Sequence, residues 1–529
     1  MRDFQRPGRS TSHAGEAMAA TSHPLATLTA IETLRAGGNA MDAAVAAVSL
    51  LCVIEPGMTG LGGDCFVLYA KGGKDKVTAF NGSGRAPQAA SADTLKSRGV
   101  NHIEEHGVHS ITVPGCVQAW ERLVADHGTK PLGDVLQPAI KAAEQGFIVT
   151  PRVAFDWANQ VGKLAKDANA KSTFLLDGRA PKTGERFKNP RLAATLRRVA
   201  KEGAKGFYTG PVAEDIVTYL RSLGGLHTLE DFARTEGEYI APITTDYRGY
   251  TVHECPPNGS GITTLLMLNI LEGYELSALD PAGAERLHLE VEASRLAFAD
   301  RDAYVGDPRH VDVPVERLLS KKHAADQRKH IRTDRAMNGM KPVPLPEHND
   351  TTYLCVVDRD RNAVSFINSV FDGFGSGKAS PNSGVILQNR GSSFKVDDTH
   401  PNGIAGGKRP MHTIIPAMVT RGGRAVMPFG VMGGHFQPVG QSHVLTNIVD
   451  FGMDPQAAID FPRAHHREGA VKLERGYAEQ VAKDLQKLGH KTETAPAPYG
   501  GGQAIWIDEK TGDLVGGSEP RKDGMALGY

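Results

Sequence analysis

The pattern of apolar residues predicts an α+β fold, in which helices and antiparallel strands occupy different stretches of the chain. Three observations support this class. An apolar run from Met41 to Val53 has no polar face, which is typical of a buried helix. Two short β-forming runs, Cys65–Tyr69 and Val77–Phe80, follow it after a glycine-rich turn. Another pair of β-forming runs lies between residues 351 and 369 and predicts a hairpin.

The elements before residue 332 are mostly helical. A first helix is expected over Ala26–Leu34, closed by Gly37-Gly38, and the buried helix of residues 41–53 follows it. After the two early strands, helical periodicity dominates from Val117 to about Asp302. Within that stretch we expect helices that begin at Pro131-Leu132 and Pro190-Arg191, and a long helix over Ala284–Ala299.

A polar, proline-rich stretch from about Arg332 to Asp350 predicts an exposed linker. It ends directly at the hairpin, whose strands are Thr351–Asp358 and Ala363–Ser369 with residues 359–362 as the turn. The remaining predicted elements are strands at Gly384–Leu387 and Ala425–Phe429 and a helix at His443–Val449.

Length and charge limit the classes of function. At about 150 residues per domain, 529 residues predict about three domains. The chain has 60 Lys+Arg against 60 Asp+Glu, so its net charge is zero. A nucleic-acid-binding protein would be expected to carry a basic domain. The composition therefore favours chemistry on a small molecule and predicts no nucleic-acid partner.

The cysteines and the apolar runs predict a cytoplasmic protein without a membrane partner. Five widely spaced cysteines with no C-x-x-C pair fit neither a disulfide framework nor a zinc site. Residues 1–24 contain no apolar segment typical of a secretory signal. The longest nearly apolar run, 43–54, is shorter than the ~20 residues of a membrane span.

Two motif matches fail on their local context. The segment 372–379 resembles a nucleotide-binding P-loop, but Asp372 replaces its first glycine and Ala379 replaces the magnesium-binding hydroxyl residue. His102 and His106 satisfy an H-x-x-E-H zinc pattern, yet Gly99 and Gly107 bracket them too closely for the helix that the pattern needs. We interpret that segment as a polar loop and predict no metal site.

The boundary between Asp350 and Thr351 has features of a self-cleavage site. A linker that ends at a hydroxyl residue, which itself begins a strand, is what a self-cleaving precursor needs. After cleavage, the freed α-amine of Thr351 would lie beside its hydroxyl and could activate it as a nucleophile. An α-amine has a pKa of about 7.7–8.0, which suits a general base near neutrality. The alternative from these residues alone is an ordinary strand start.

Many segments in the same order resemble the γ-glutamyltranspeptidase family of N-terminal-nucleophile (Ntn) hydrolases. The resemblance extends over nearly the whole chain, and its start is the hairpin at Thr351-Thr352 with Val356-Val357-Asp358. The other matching segments include 37–44, 60–63, 113–115, 137–139, 256–261, 299–301, 306–308, 374–377, 408–410, 462–466 and 520–529. Within the family, the pattern around 408–416 and 82–85 is similar to a shorter branch that includes oxamate amidohydrolase-like and glutathione hydrolase-like proteins.

The resemblance implies a four-layer αββα sandwich in place of three domains. It divides the precursor at Asp350-Thr351 into a large segment, 1–350, and a small segment, 351–529, which together form one structural domain. Thr351 would be the self-cleaving residue and the catalytic nucleophile, and Ser369 would hydrogen-bond it. The backbone of Gly433-Gly434 would form the oxyanion hole, and no metal or organic cofactor would be required.

The residues implied for substrate binding depart from the family pattern. Ser83 replaces the arginine that binds a glutamyl α-carboxylate, and Arg85 lies two residues further on, a shift that would keep the same face if the strand continued. Phe371, Arg390 and Ser393 replace the Asn, Gln and Asp that hold the α-amine, and His412-Thr413 replace two serines.

These departures predict an acyl group other than γ-glutamyl. Arg390 and His412 favour a substrate whose near end is anionic or lacks an amine. The short segment between Phe394 and Lys408 favours water as the acceptor. A genuine glutathione hydrolase or γ-glutamyltransferase and an inactive, uncleaved binding homologue remain alternatives. The two processed chains are expected to stay associated, with a dimer of this pair left open.

Overall fold

A computed structural model describes residues 8–337 and 351–529 of the chain. Asp350 and the predicted linker after residue 337 lie outside the described residues. The strands are β1 (Ser12–Ala14), β2 (Met18–Thr21), β3 (Asp64–Ala70), β4 (Val77–Gly82), β5 (Phe147–Ile148), β6 (Arg186–Phe187), β7 (Glu238–Ile240), β8 (Ile243–Tyr247), β9 (Tyr250–Glu254), β10 (Thr352–Val357), β11 (Ala363–Ser369), β12 (Lys378–Ala379), β13 (Ile386–Leu387), β14 (Ala417–Arg421), β15 (Arg424–Met432), β16 (Ala464–Arg467), β17 (Ala470–Leu473), β18 (Thr492–Thr494), β19 (Gly501–Ile507), β20 (Leu514–Ser518) and β21 (Met525–Gly528).

The helices are distributed along the same ranges, with short 3₁₀ turns such as Arg390–Ser393 and Gly434–Phe436 between them. They are α1 (Pro24–Arg35), α2 (Ala40–Ile54), α3 (Ala92–Ser97), α4 (Cys116–His127), α5 (Leu132–Val135), α6 (Gln137–Gln145), α7 (Pro151–Ala158), α8 (Val161–Leu164), α9 (Ala168–Phe174), α10 (Pro190–Glu202), α11 (Lys205–Tyr208), α12 (Pro211–Ser222), α13 (Leu229–Ala233), α14 (Gly261–Leu271), α15 (Ala284–Tyr304), α16 (Val315–Leu318), α17 (Lys321–Arg328), α18 (Gln437–Val449), α19 (Pro455–Asp460) and α20 (Glu479–Lys487).

Two seven-stranded antiparallel sheets form the centre of the fold. Sheet I has the order β21-β2-β10-β11-β3-β4-β7, and sheet II has the order β1-β20-β19-β15-β14-β9-β8. Both sheets contain strands from before residue 337 and strands from after residue 351. The hairpin β10–β11 lies inside sheet I, with β2 on one side and β3 on the other.

The side chains of β10 show why the sheets are stacked between helices. Leu354 and Val356 face the core shared with α2 and α4, whereas Tyr353 and Cys355 face the core between the two sheets. Successive residues of a strand point to opposite faces, so a strand that is apolar on both faces is covered on both. Helices α14 and α18 cover the outer face of sheet II. The architecture is therefore the αββα sandwich that the resemblance implied.

Helix α2 shows how the sequence sets an element next to the site. All of its residues are buried, which fits an apolar run without a polar face. Asn39 caps its first turn, and the Asp42 carboxylate accepts a hydrogen bond from the backbone N–H of Asn39, which completes a capping box. The capping box therefore fixes the residue at which the helix begins, next to the strands of sheet I.

The predicted helices and strands before residue 97 and the hairpin at 351–369 are confirmed. The helical assignment of 117–302 was wrong for 238–254, where β7, β8 and β9 lie. The predicted strand at 384–387 is shorter, Ile386–Leu387, and the helix predicted from His443 begins earlier, at Gln437. Within the ranges that the structure describes, no helix has the length and apolar character of a membrane span.

Candidate active site

Thr351 and Ser369 meet at one end of the hairpin. Thr352 lies opposite Asn368 in the β10–β11 ladder, so the residues that flank this pair, Thr351 and Ser369, are neighbours. Their hydroxyl oxygens are 3.1 Å apart, and both residues are buried. The backbone N–H of Phe371 donates to Ser369 Oγ at 2.9 Å, which holds the serine in place. The predicted nucleophile and its predicted hydroxyl partner are thus within hydrogen-bond distance.

Arg390 lies against the same serine. Its Nη2 is 3.5 Å from Ser369 Oγ, and its Nη1 donates to Thr413 Oγ1 at 2.7 Å. The guanidinium carbon lies 4.0 Å from the centre of the Phe371 ring, at cation–π distance. Phe371 has a φ of 84°, which is unusual for a residue with a side chain and places its ring here. The structure therefore brings Ser369, Phe371, Arg390 and Thr413 together next to Thr351.

The charge of Arg390 is buried, and residues 8–337 and 351–529 offer it no carboxylate partner. Burial lowers the pKa of Arg390 to about 9, and the Asp64 carboxylate opposes that shift from a distance. No carboxylate of the described residues lies within ion-pair distance of Arg390. The other fully buried arginines do contact carboxylates: Arg286 contacts Glu290, Arg301 contacts Asp302, Arg409 contacts Glu238, and Arg463 contacts Glu519.

His412 is held by Asp64, a residue that sequence analysis did not single out. His412 Nε2 is 3.2 Å from Asp64 Oδ2, and both side chains are fully buried. Burial, together with the positive charge of Arg390, lowers the pKa of His412 to about 3. The imidazole is therefore neutral at pH 7. A signal for Asp64 was present, because it directly follows the Gly60–Gly63 segment where a strand begins.

The other Asp64 oxygen fixes the backbone around the site. Asp64 Oδ1 accepts hydrogen bonds from the backbone N–H of Gly84 at 2.9 Å and of Gly115 at 3.1 Å, and from Gln388 Nε2 at 2.9 Å. Gly84 cannot be replaced by a larger residue, because an added Cβ would lie 1.5 Å from the carbonyl oxygen of Val113. Asp64 is thus a positioning residue for the wall behind His412.

Ser83 and Ser393 lie next to this cluster, and the hydrogen bonds described for their hydroxyl groups are to neighbouring groups of the protein. Ser83 Oγ donates to Asn81 Oδ1 at 2.7 Å and accepts from Asn258 Nδ2 at 3.3 Å. Ser393 Oγ donates to the carbonyl of Met411 at 3.0 Å. Both therefore support the extended segment 410–413, which carries His412 and Thr413.

Arg85 is placed differently from the sequence-based expectation. Strand β4 ends at Gly82, so the alternation of faces does not continue to Arg85. Its guanidinium donates to the carbonyl of Gly407 at 3.0 Å and lies 3.7 Å from Asp307 and 3.8 Å from Glu238. Arg85 makes none of the contacts that the structure describes for the cluster around Arg390.

The glycine pair Gly433-Gly434 follows β15, which stacks on β10. The two strands are so close that a Cβ on Gly430 would lie 2.6 Å from the Tyr353 ring. Gly433 has a φ of 131°, and an added Cβ would lie 2.8 Å from Gly500 Cα. This φ and the close approach of Gly500 exclude a residue with a side chain at position 433.

An open cleft with a volume of about 250 Å³ lies near the site. One wall includes Asp372 and Gly373, which directly follow Phe371. The opposite wall includes Tyr499, which precedes Gly500. The cleft is therefore lined by direct chain neighbours of Phe371 and Gly500, whereas Thr351, Ser369 and Arg390 are not among its lining residues.

The segment 395–407 folds back on itself. Across it the backbone N–H of Ile404 donates to the carbonyl of Lys395, and the N–H of Lys395 donates to the carbonyl of Asn402. The Asn402 side chain bonds to the backbone of Ser393 and Met411. Its apolar side chains pack with Ala86 and Phe394 in a small separate core. The contacts described for this segment are with the wall behind the cluster.

Two groups of side chains in the described ranges could bring three metal ligands together. His288, Glu292 and His490 are buried, but the two histidines already bond to each other at 2.8 Å and Glu292 bonds to Arg295 and the backbone of Met337. In the second group, Glu105, His106 and Asp372, the histidine bonds to Asp372 at 2.8 Å. The segment with His102 and His106 forms a loop, as predicted.

The fold and the hydroxyl pair define a class. An αββα sandwich with a threonine hydroxyl at the start of a central strand is the architecture of Ntn hydrolases. The model of the family described as gamma-glutamyltranspeptidase matches residues 26–529. The chain is 39% identical over 525 residues to the glutathione hydrolase-like YwrD proenzyme of Bacillus subtilis (strain 168), covering 97% of this chain and 98% of that protein.

Two further relatives carry other names. The chain is 34% identical over 530 residues to the oxamate amidohydrolase proenzyme of Klebsiella pneumoniae subsp. pneumoniae, covering 97% of this chain and 98% of that protein. The crystal structure of a cephalosporin acylase from Bacillus halodurans superimposes with a TM-score of 0.93 at 40% identity, covering 100% of this chain and 99% of that one. The chain belongs to the gamma-glutamyltranspeptidase family.

Proposed function

We propose that the chain is a proenzyme that cleaves itself at Asp350-Thr351 and then hydrolyses a small amide through an acyl-enzyme on Thr351. The observation that carries the proposal is the 3.1 Å contact between the Thr351 and Ser369 hydroxyls at the start of β10. Membership of the family, whose relatives include proteins named proenzymes, supports it. Residues 1–350 and 351–529 would become the large and small chains.

Self-cleavage needs only groups that the chain carries. Thr351 Oγ1 attacks the carbonyl carbon of Asp350, and the peptide nitrogen takes the proton and leaves as the α-amine of Thr351. Water then hydrolyses the ester between Asp350 and the threonine oxygen. This sequence produces the amine beside the hydroxyl, which is the pairing that activates a threonine nucleophile.

Turnover repeats the same chemistry on a substrate. The α-amine, with an ordinary pKa of about 7.7–8.0, removes the hydroxyl proton while Ser369 orients the oxygen. The backbone N–H groups of Gly433 and Gly434 are the proposed oxyanion donors, and such donors contribute about 3–4 kcal/mol to catalysis. The protonated amine returns its proton to the leaving amine, and water resolves the acyl-enzyme.

The alternative of a glutathione hydrolase is less well supported by this site. A γ-glutamyl substrate carries an ammonium group, and the buried guanidinium of Arg390 would repel it. Ser393, the residue in the position of the amine-binding aspartate, has no charge and donates to Met411. Rapid transfer of a γ-glutamyl group to a dipeptide would favour that alternative.

Mass spectrometry of the purified protein tests self-cleavage. We expect two chains that correspond to residues 1–350 and 351–529, and a single uncleaved chain for Thr351→Ala, whose amide hydrolysis should fall at least about 1,000-fold because the nucleophile is absent. Thr351→Ser is the matched control, since it keeps a hydroxyl and should still cleave.

Two results would contradict the proposal. A fully active wild-type chain that stays intact would remove the N-terminal nucleophile. An intact chain without a burst on any activated anilide would instead favour the inactive binding homologue.

We also propose a cytoplasmic location with water as the usual acceptor. All five cysteines are free and buried, which suits a reducing compartment. Cell fractionation with an antibody against the chain tests the location. The product ratio of hydrolysis to transfer in the presence of a dipeptide tests the acceptor.

A further inference from the structure

We propose that Arg390 is the receptor for a carboxylate on the acyl part of the substrate, so that the enzyme hydrolyses monoamides of short dicarboxylic acids. The inference rests on the proposed function, because it needs Thr351 as the attacking group. It names the substrate class, which neither the fold nor the family membership decides.

The first argument is the missing counter-charge. Moving a guanidinium out of water costs several kcal/mol unless an anion lies beside it. Four buried arginines of this chain have such an anion within the protein, and Arg390 has only hydroxyl groups and an aromatic ring among the described residues. Among the described residues this buried cation has no anion beside it, and it lies next to the proposed nucleophile. An anionic ligand would supply the missing counter-charge.

The second argument is the number of free donors. A guanidinium has five N–H donors, and the contacts described for Arg390 use one to Thr413 and one to Ser369. Its Nε–H is fully buried and has no acceptor among the residues in the described ranges. The Phe371 ring covers one face of the guanidinium plane, so a ligand meets its edge. The edge is where a carboxylate forms two parallel hydrogen bonds.

The third argument is the length of the spacer. Arg390 Nη2 and Thr351 Oγ1 both contact the same oxygen, Ser369 Oγ, at 3.5 Å and 3.1 Å. A carboxylate oxygen needs about 2.7–2.9 Å to the guanidinium, and the reacting carbon needs about 3–3.5 Å to the hydroxyl. The guanidinium and the hydroxyl are therefore close enough for one small acyl group to contact both. Such closeness favours a carboxylate that is joined to the scissile carbonyl directly or through one or two carbons.

The remaining charges agree with a substrate that has no amine. His412 is neutral at pH 7, and Asp64 is occupied by His412, Gln388 and two backbone N–H groups. No acidic side chain of the described residues therefore faces Arg390 at contact distance to receive an ammonium group.

The chemical step balances with water as the only co-reactant. Thr351 Oγ1 forms a bond to the amide carbon, the C–N bond breaks, and the amine or ammonia leaves with the proton from the hydroxyl. Water then cleaves the ester and releases the free dicarboxylic acid, while Arg390 holds the distal carboxylate through both steps.

Steady-state kinetics on a matched series of amides tests the proposal. The probes are oxamate, malonamate, succinamate and glutaramate, each beside its uncharged diamide, with ammonia release as the readout. For the wild type we expect a higher kcat/KM for the acid than for the diamide, with the largest ratio at the two shortest spacers. Arg390→Gln should lower kcat/KM for the short acids about 10- to 100-fold, because a hydrogen bond to a charged group is lost.

Arg390→Lys is the conservative variant and should recover part of that loss, since it keeps the charge without the fork geometry. In both variants kcat/KM should fall more for the acids than for the diamides, provided that mass spectrometry shows self-cleavage. An equal loss on acids and diamides would give Arg390 a structural role and overturn the proposal.

A second measurement does not depend on any variant. Oxalate and malonate should inhibit wild-type turnover of an uncharged p-nitroanilide competitively, whereas glutarate should inhibit less. No inhibition by the short dicarboxylates would overturn the inference. A cleaved enzyme that prefers neutral amides would leave the proposed function in place, whereas an uncleaved and inactive wild type would remove both.

Discussion

Two buried arginines, Arg390 and Arg463, differ in what surrounds their charge. Arg463 Nη2 lies 2.5 Å from Glu519 Oε2 and also donates to the carbonyl of Ile459 at 2.9 Å. Glu519 in turn accepts from Arg521 at 2.9 Å and from the backbone of Gly502 at 3.0 Å. Among the residues that the structure describes, Arg390 contacts hydroxyl groups and an aromatic ring but no carboxylate.

The charge of Arg463 therefore stabilises the fold, whereas we propose that the charge of Arg390 binds a ligand. In the Arg463 cluster every oxygen of Glu519 is used, so the pair stabilises the packing of β19 and β20 against α19. Near Thr351 the described part of the chain places no carboxylate in contact with the buried guanidinium of Arg390, an arrangement that costs folding stability. Active sites commonly retain such a cost because the bound substrate offsets it.

The largest effect is expected for Glu519→Gln. Removing one partner of a buried ion pair leaves an uncompensated charge, which costs about 3–5 kcal/mol. Urea unfolding measures it in the Thr351→Ala background, where one intact chain unfolds. The matched control is Glu509→Gln, whose pair with Arg421 is partly exposed and should contribute at most about 1 kcal/mol. Equal losses in both variants would contradict the comparison.

The next largest expected effect is on the pH dependence of the stability that the Arg463–Glu519 pair contributes. Burial alone would raise the pKa of Glu519, but Arg463 and Arg521 outweigh it and lower that pKa to about 2. A carboxyl whose pKa falls on folding stabilises the protein above its unfolded pKa of about 4.5, and this contribution is lost as pH falls towards 2. The stability difference between the intact chain with Glu519 and the Glu519→Gln variant should therefore shrink from pH 5 to pH 2. A constant difference across that range would show that the carboxylate charge is not the source.

The smallest expected change in the free energy of unfolding is a stabilisation. Arg390→Met removes a buried cation that has no carboxylate partner, so unfolding in the Thr351→Ala background should require about 1–2 kcal/mol more. Arg463→Met should instead destabilise the chain, because it leaves Glu519 unpaired. If both variants destabilise to the same extent, Arg390 is a structural arginine like the others.

Local patterns predicted much of the fold. The apolar run of α2 and the hairpin β10–β11 depend on neighbours in sequence, and both were predicted close to their bounds. The strands β8 and β9 were missed, although Arg248-Gly249 between two β-branched runs was a turn signal, because helical periodicity surrounds them. Strand β21 pairs with β2 from the other end of the chain, a partnership that no local pattern contains.

The resemblance named the residues of the candidate site, but spacing along the sequence did not predict all of their positions. Thr351, Ser369, Arg390 and Thr413 follow from the resemblance, and the structure brings them together. Arg85 was expected to keep its face by strand alternation, which fails because β4 ends at Gly82. The isolation of Arg390 from carboxylates depends on residues distant in sequence, so spacing along the chain could not predict it.

The place of β2 in sheet I has a consequence for how the protein can be made. This strand of the large segment is hydrogen-bonded on one side to β10 and on the other to β21, both from the small segment. Two polypeptides encoded by a gene split at residue 350 would each lack the strands that complete the other's sheet. They should form an active enzyme only when synthesised in the same cell, where both can fold around β2 together.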